Sequence, residues 1–433
     1  MAFTRRTFIL TSGVSAAALG MSACGAGSAG GDEVKFLVDN NPNGVASAEA
    51  LVEAFNASQS DGPTFSVDSR PGGTEGDNLV KTRLGTQDMP DVFLYNTGSL
   101  FQAIRPAQNL VDLSSEPWVG SIVESFLPGV TADGAIYGAP IGAAAGGGIM
   151  YHKPTYERLG LEVPLTWDEF IANCQTIKAD GTSAPVVQSY AETSTSQIIM
   201  LADYHNVAAA TPDFAEKYTA HEVGFADDAA ALRGFEKTEQ IVVDGLVNGD
   251  YVSTTYQQAV EYIATGEGVH YPCLSGALAE IVATYPDQVD DIGYFAVPGD
   301  DAASNGLTVW LPSGLYIPAY AENMDAAKAF LAFAVSEEGL NALNSIAPPT
   351  GPSMVKDIPL PDDVPSAVED LQVYFDEEGR TTPALEFSSP IKGPNLENIL
   401  IELGTGSIDA KTAAERYDQD VEKQAQQLGL EGW

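Results

Sequence analysis

Residues 34–44, VKFLVDNNPNG, decide the fold, because Val34–Val38, apolar apart from Lys35, is strand-like and ends in a polar, glycine-containing loop. Small and apolar residues then recur at helical spacing as far as Phe55. The same alternation of strand and helix returns twice, which predicts an α/β fold with a parallel, doubly wound sheet. The two further units are a strand at 64–69 with a helix at 77–84, and a strand at 91–95 with a helix at 99–104.

Three polar loops follow these predicted strands, at residues 39–44, 71–78 and 95–99. The carboxyl ends of parallel strands meet at one edge of a sheet, which is where ligands bind in open α/β folds. The carboxylate, amide and hydroxyl groups of these loops can donate and accept hydrogen bonds to a polyhydroxylated ligand. Turns and helix caps use the same residue types. Three such loops at one edge, with the aromatic Tyr95 at a strand end, favour a ligand site.

The Gly/Ala stretch 142–148 indicates either a crossover between lobes or a close approach of two backbone segments. After it, strands and helices again alternate. A new strand is predicted from Ile149, followed by a helix that carries Trp167 and Phe170 on one face. Further helices are predicted at 229–243, 256–264, 325–335, 397–403 and 413–428.

Length and charge limit the possible functions. The 433 residues are enough for more than one domain of about 150 residues. With 20 basic and 60 acidic residues, the net charge of −40 repels nucleic-acid phosphates and anionic lipid headgroups. No apolar run reaches the roughly 18 residues of a spanning helix. We therefore expect neither nucleic-acid binding nor a membrane-spanning segment.

The first residues resemble an export leader. Residues 4–9, TRRTFI, are similar to a twin-arginine signal, and residues 21–24, MSAC, are similar to a bacterial lipobox in which Cys24 carries the lipid. We expect a signal peptide at 1–23 and a lipidated cysteine with a flexible tether at 24–33, which places the protein on the extracytoplasmic face of a bacterial cell membrane. The alternative is an ordinary cleaved leader with a chance cysteine.

Signatures of catalysis and metal binding are missing from the sequence. The four histidines have no zinc-ligand spacing, and there is neither a phosphate loop nor a GxSxG elbow, so we expect no metal and no cofactor. A pair of carboxylates placed for glycoside hydrolysis stays open, because their separation in space is not visible in a sequence. Cys174 and Cys273 form either one disulfide or two separately buried thiols.

Trp310 is the aromatic residue with the most informative setting. It lies in VWLPSG, residues 309–314, next to a proline and a glycine. A tryptophan in such a segment can stack its ring on the C–H face of a sugar. Ordinary packing of a lobe is the alternative.

Several motifs in a fixed order resemble the extracellular solute-binding proteins of carbohydrate ABC importers, the family that includes maltose-binding proteins. The resemblance covers nearly all of the chain after the tether. The motifs are DGAIYGAP at 133–140, MYHK at 150–153, PLTWDEF at 164–170, TGEGVH at 265–270, GYFAVPG at 293–299, AAKAFL at 326–331 and SEEGL at 336–340.

This resemblance implies a periplasmic-binding-protein-like clamshell of two α/β lobes, with a mostly parallel sheet in each lobe and hinge crossovers between them. The crossings are expected near Ile141–Ala145, Phe295–Val297 and Ala347–Gly351. Lobe 1 is then expected at 34–142 plus 296–346, and lobe 2 at 143–295 plus 347–433.

The resemblance also implies which residues contact the ligand. In lobe 1 they follow the three predicted strands, and in lobe 2 they lie near residues 190 and 275. Relatives often carry a tryptophan in the second of these regions, residues 273–276, and this chain has none there. The expected contacts are Asp39, Asn40, Asn41, Glu75, Asn78, Tyr95, Asn96 and Ser99 from lobe 1, and Tyr190, Glu192, Ser275 and Gly276 from lobe 2, with Trp310 or Tyr95 covering a sugar ring.

The function implied is that of a receptor that binds a mono- or oligosaccharide between its lobes and delivers it to an ABC transporter permease, without making or breaking a bond. We expect a monomer. Two alternatives stay open: a receptor for a non-sugar solute, such as a peptide, a polyamine or a metal chelate, and a surface-anchored carbohydrate hydrolase.

Overall fold

The chain forms two α/β lobes, each built around its own sheet, in a computed structural model that describes residues 33–346, 349–358, 360–361, 364–430 and 432–433. The expected signal peptide and Cys24 lie outside the described residues. Among the described residues, no helix combines the length and the apolar character that crossing a membrane requires.

The first lobe contains the three strand–helix units predicted from the sequence. Its elements before the first crossing are β1 Val34–Asp39, α1 Pro42–Ser58, β2 Phe65–Arg70, α2 Gly73–Thr86, β3 Val92–Tyr95, α3 Gly98–Ala103, α4 Pro106–Asn109, β4 Thr131–Ala132, β5 Ala135–Ile136 and β6 Gly138–Pro140.

The second lobe begins with a long strand that leaves the hinge. Its elements are β7 Ala145–His152, α5 Lys153–Leu159, α6 Trp167–Asp180, β8 Ala184–Val186, α7 Ile198–Ala202, α8 Tyr204–Ala210, α9 Phe214–Thr219, α10 Ala229–Val243, α11 Tyr256–Thr265, β9 Gly268–Leu274, α12 Leu278–Thr284, β10 Ile292–Ala296 and β11 Leu307–Trp310.

The chain then returns through the hinge to the first lobe and afterwards to the second lobe. The first lobe gains β12 Gly314–Tyr316, α13 Met324–Ala334 and α14 Glu337–Asn344, and the second gains α15 Ser366–Asp376, β13 Thr381–Pro383, α16 Leu396–Gly404 and α17 Ala410–Leu428.

The first sheet has the strand order β2-β1-β3-β12-β6. Its face toward α1 and α13 is closed by an aromatic cluster around Phe330, whose ring stacks on Phe65 at 4.7 Å and lies 5.2 Å from Phe36 and 5.1 Å from Phe55. These rings come from β1, α1, β2 and α13, so the cluster joins the first segment of the lobe to the segment that returns after residue 313.

The second sheet has the order β13-β11-β7-β9-β8, with β10 also paired to β7. Its core against α6 includes Trp167 and Phe170, as the helical spacing predicted. A capping box fixes the start of α6, because the Thr166 side chain accepts from the Glu169 backbone N–H while the Glu169 carboxylate accepts from that of Thr166.

The two-lobed α/β fold is confirmed, but the strand directions are more mixed than the expected mostly parallel sheets. In the first sheet β12 is antiparallel to both neighbours, and in the second β7 is antiparallel to β9, β10 and β11. Both β12 and β7 start at a crossing. A strand that enters a lobe there begins at the edge where the neighbouring strands end, so it must run in the opposite direction.

Sheet membership places the second crossing at residues 311–313, between β11 and β12, rather than near Phe295–Val297 where we expected it. Both β10 and β11 pair with β7, along 148–152 and 145–147, so the chain between them leaves the second sheet and rejoins the same neighbour. Residues 297–310 therefore belong to the second lobe.

The three crossings touch one another. The Ile141 N–H of the first crossing donates to the Ser313 carbonyl of the second at 2.8 Å. In the third crossing, a Cβ at Gly351 would lie 1.9 Å from the Ala144 carbonyl oxygen of the first. Residues 347–348, where the third crossing was expected to start, lie outside the described residues. The hinge is thus a bundle of adjacent backbone segments.

Candidate functional site

The loop after β1 lies at the edge of the first sheet that faces the hinge. Asp39 is half-buried, and its carboxylate accepts from the Asn41 backbone N–H at 3.1 Å. The Asn40 N–H donates to the Arg70 carbonyl at 2.8 Å, while the residue as a whole is exposed. These bonds fix the backbone of the loop and leave the Asn40 side chain at the surface.

Two polar side chains at the start of α2 have no hydrogen-bond partner among the described residues. Glu75 lies in the first turn and Asn78 one turn later, and both are exposed. Neither side chain forms a hydrogen bond or ion pair with any residue that the structure describes. The helix begins at Gly73, after Gly72, whose lack of a side chain leaves the first turn without a cap from that residue.

The loop after β3 is also polar and accessible. Asn96 is exposed and Ser99 is half-buried. The Tyr316 hydroxyl donates to the Asn96 carbonyl at 3.1 Å, which holds the backbone while the side-chain amide forms no bond within the described part of the chain. The predicted strand-end residues of β1, α2 and β3 therefore share one edge of the first lobe, as the topology required.

Tyr95 differs from its expected role, because its side chain is 1% exposed and lies inside the first lobe. Arg70, which sequence reasoning missed, lies over the Tyr95 ring at 5.6 Å and donates to the Pro71 carbonyl at 3.0 Å. Burial, together with the nearby Asp77 carboxylate, raises the pKa of Tyr95. Tyr95 packs in the core beneath the loop that follows β3, and it does not present a ring face to a ligand.

The residues expected near position 275 divide into one buried and one exposed. Ser275 is fully buried, and its hydroxyl accepts from the Gly146 N–H at 3.0 Å, which ties the end of β9 to the start of β7. Gly276 is exposed beside it. The serine is therefore a structural residue in this conformation, and Gly276 offers only backbone.

The residues expected near position 190 are also partly engaged in structure. Tyr190 is 5% exposed and packs against Gly404, where a Cβ would lie 2.4 Å from the tyrosine hydroxyl oxygen. Glu192 is exposed, and its carboxylate accepts from the Tyr256 backbone N–H at 2.7 Å, at the start of α11. Of the two, only Glu192 reaches the surface.

Trp310 lies at the end of the second sheet that borders the hinge. It pairs in register with Ala145, the first residue of β7, and its ring covers Gly147, where a Cβ would lie 2.3 Å from ring carbon Cζ3. The side chain is half-buried. One side of the ring is thus lobe packing, and the ring is also incompletely covered.

A segment between β13 and α16 meets the first lobe directly, and sequence reasoning missed it. A Cβ at Gly98, the first residue of α3, would lie 2.9 Å from the Phe387 ring and 3.3 Å from the Glu386 carbonyl oxygen. Lys392 lies 3.9 Å from the Glu386 carboxylate. No periodic pattern marks this segment, since residues 385–387 form a single 3-10 turn.

A cavity of about 370 Å³ lies beside the crossings, between the lobes. Phe36 and Ala48 line it from the first lobe, Ala279 from the second, and Ala143 and Ser313 from the hinge. Most of its lining residues are apolar. The cavity therefore lies where the first lobe and the crossings meet α12 of the second lobe.

The described residues contain no group of three or more His, Cys, Asp or Glu side chains that could hold a metal ion. Cys174 and Cys273 are both buried and free, so of the two possibilities left open by the sequence the structure shows separate thiols.

Two α/β lobes, a three-segment hinge and polar strand ends facing a second lobe define a two-lobed solute-binding protein. The family model of bacterial extracellular solute-binding proteins matches residues 40–340, and the chain belongs to this family. This confirms the family that the motifs indicated.

Two relatives, both from bacteria, are named for sugars. The multiple sugar-binding protein of Streptococcus mutans is 25% identical over 240 residues, which are 53% of this chain and 54% of that protein. The melibiose/raffinose/stachyose-binding protein MelE of Bacillus subtilis is 24% identical over 295 residues, 65% of each chain. The matches thus span between half and two thirds of these relatives.

A solved structure supports the same fold. The binding protein MsmE of Bacillus subtilis, in an open conformation, has a TM-score of 0.77 at 18% identity and covers 92% of this chain and 99% of its own. At this identity the likeness shows the fold alone.

Proposed function

We propose that this protein is a receptor that binds a mono- or oligosaccharide between its two lobes and delivers it to the permease of an ABC transporter. It makes and breaks no bond in the sugar. In this proposal a lipid on Cys24, following a twin-arginine signal at 1–23, anchors the receptor to the extracytoplasmic face of the membrane.

The observation that carries the proposal is the set of polar side chains at the hinge edge of the first lobe that are exposed and unpaired. The side chains of Glu75, Asn78 and Asn96 form no hydrogen bond with other described residues. Carboxylates accept and amides both donate and accept, so together they can read the hydroxyl groups of a sugar. The half-buried Trp310 ring, at the facing edge of the second lobe, supplies an apolar surface for a ring face.

The relatives named for sugars support the ligand class. One is named for multiple sugars, and the other for melibiose, raffinose and stachyose. A neutral polyol also suits amide-rich loops better than a cation does, because an amide offers both a donor and an acceptor to each hydroxyl.

Binding would act on the hinge through contacts that form only when the lobes approach. A ligand shifts a conformational equilibrium only by its difference in affinity for the two states. Glu75 and Asn96 belong to the first lobe, whereas Trp310 and Glu386 belong to the second. A sugar that touches both groups therefore favours the closed arrangement, which is the form presented to the permease.

A thermal-shift screen of the purified protein against mono- to tetrasaccharides tests the proposal, with polyamines, peptides and metal ions in the same panel. A ligand at 100 times its Kd adds about 2.7 kcal/mol to the free energy of unfolding. We expect a shift with saccharides, and no new reducing ends after long incubation with the bound oligosaccharide. A shift with polyamines or peptides alone would reject the ligand class, and released reducing ends would indicate a hydrolase.

A further inference from the structure

A small apolar recess runs from the Trp310 ring into the second lobe. Its volume is about 30 Å³. Its walls include Met200, Tyr204, Val207 and Tyr417 of the lobe core, which pack there with little exposure. A site of about 10–15 Å³ holds one water-sized group, so the recess has room for two or three non-hydrogen atoms.

The recess lies at the edge of the lobe that faces the hinge and the first lobe. Trp310 is the residue before the second crossing, and in that crossing the Pro312 carbonyl accepts from the Thr97 hydroxyl of the first lobe at 2.9 Å. Glu386, another lining residue, has its carbonyl beside Gly98 of the first lobe. A ligand held between the lobes against Trp310 therefore lies next to the recess.

Two polar groups among the lining residues have no partner in the described part of the chain. The Tyr204 side chain is 7% exposed, yet its hydroxyl forms no hydrogen bond there, and neither does the Trp310 indole N–H. Burial raises the pKa of Tyr204 to about 12, so the hydroxyl keeps its proton at neutral pH and can donate it. Both donors are therefore free to bond with an occupant of the recess that supplies an acceptor.

We propose that this recess receives an acetyl group carried by the bound saccharide, so that the substrate class is an acetylated sugar. This inference rests on the proposed function. The methyl carbon fills the apolar walls and the carbonyl oxygen accepts a hydrogen bond from the Tyr204 hydroxyl or the Trp310 N–H. An acetyl group has three non-hydrogen atoms, which fits the volume.

Other substituents of a sugar fit the recess less well. A hydroxymethyl group would place a hydroxyl among the apolar side chains of Met200, Val207 and Ile391. The methyl group of a deoxy sugar would fill part of the space but leave the Tyr204 hydroxyl unpaired. Only a group with an apolar end and an acceptor satisfies both features of the recess.

Two pairs of ligands test the inference by calorimetry: chitotriose has an acetamido group where cellotriose has a hydroxyl, and acetylated xylotriose differs from xylotriose only in its acetyl groups. We expect chitotriose to bind at least tenfold more tightly than cellotriose, or acetylated xylotriose at least tenfold more tightly than xylotriose. Equal or tighter binding of the unsubstituted member in both pairs would overturn the acetyl assignment and leave the saccharide receptor standing. No binding of any of the four, together with no response to other sugars, would overturn both proposals.

Two variants locate the effect in the recess. Tyr204→Phe removes the donor, and we expect it to lower the affinity for the acetylated ligand about fivefold or more without changing that for its unsubstituted partner. Ala384→Leu fills the recess from a buried lining position and is expected to abolish the preference. Tyr218→Phe is the matched control, because its hydroxyl is likewise unpaired in the described chain but lies outside the recess. A preference retained in both Tyr204→Phe and Ala384→Leu, with each variant folded, would overturn the proposal.

Discussion

Tyr156 and His270 form a hydrogen bond of 2.6 Å between the tyrosine hydroxyl and imidazole Nε2 in the core of the second lobe. The other ring nitrogen, Nδ1, lies 2.7 Å from the Pro185 carbonyl oxygen. A carbonyl only accepts, so Nδ1 carries the proton and Nε2 accepts from Tyr156. The histidine is thus a neutral bridge between α5, β9 and the strand at 184–186, and burial lowers its pKa to about 3.

This pKa predicts acid sensitivity. In the unfolded chain the pKa returns to about 6.5, so below that value the unfolded state binds a proton that the folded state rejects. The stability that His270 contributes is present above pH 6.5 and declines as the pH falls toward 3, by up to about 4 kcal/mol.

His270→Gln isolates this effect from the many carboxylates. At pH 7.5 we expect the variant to be less stable by about 1–3 kcal/mol, because hydrogen bonds are lost. At pH 4.5 the gap should narrow or reverse, since only the parent chain has a histidine whose protonation stabilises the unfolded state. Chemical denaturation at both values measures this, and a constant gap would contradict the assignment.

The state of the cysteines gives a second prediction. Cys174 and Cys273 are buried, and burial raises the pKa of both thiols. In a Cys24→Ser variant we expect no reaction with a thiol reagent in the native state and two reactive thiols in denaturant without reductant. The absence of thiols in denaturant until a reductant is added would show a disulfide.

Local patterns predicted the regular elements because the decisive interactions are local. α10 runs from Ala229 to Val243 as predicted, and the Asp228 side chain caps it by accepting from the Ala230 and Ala231 N–H groups. The strand that the sequence predicts from Ile149 begins four residues earlier in the structure, at Ala145. Gly146, Gly147 and Gly148 carry no side-chain signal, and the structure shows that Leu371, Trp310 and Phe295 approach them closely.

The site was predictable only where topology alone decides it. Strand ends share an edge in any doubly wound sheet, so Asn96 and Glu75 could be placed there from the sequence. The buried Tyr95 packs against Arg70, and the buried Ser275 accepts from the Gly146 N–H, 129 residues away. Phe387 meets Gly98 only after the chain has crossed the hinge three times. Such distant contacts leave no local pattern.

Substitutions at the strand ends test the ligand site. Asn96→Ala and Glu75→Ala should each weaken saccharide binding by about 1–3 kcal/mol, because each removes a hydrogen-bonding group from a desolvated contact. Asn341→Ala and Glu53→Ala are matched controls, as both residues are exposed on helices outside this edge. Titration calorimetry measures the change. Affinities equal to those of the controls would remove both residues from the site.

The contact between Gly351 and Ala144 makes the hinge sensitive to a single methyl group. A Cβ at Gly351 would meet a backbone oxygen, which cannot move aside without shifting the first crossing. We expect Gly351→Ala to lower the free energy of unfolding by about 1–3 kcal/mol and to change the saccharide Kd as well. Gly120→Ala is the control, since a Cβ there meets nothing within 4 Å. If the two variants have the same free energy of unfolding and the same saccharide Kd, the contact between the first and third crossings does not affect the hinge.

Trp310→Ala separates a binding role from a packing role. The ring covers Gly147 on one side, so some stability is lost on truncation, but the side chain is only half-buried. If the exposed part stacks on a sugar ring, the variant should lose at least tenfold in affinity while the unfolding midpoint of the ligand-free protein falls by only a few degrees. Phe330→Ala, which removes a fully buried ring of the aromatic cluster in the first lobe, serves as the reference for a pure packing loss. Unchanged affinity together with a midpoint lowered as far as in that reference would make Trp310 a core residue, and the apolar surface for the ligand would then have to come from Phe387 at the junction of the lobes.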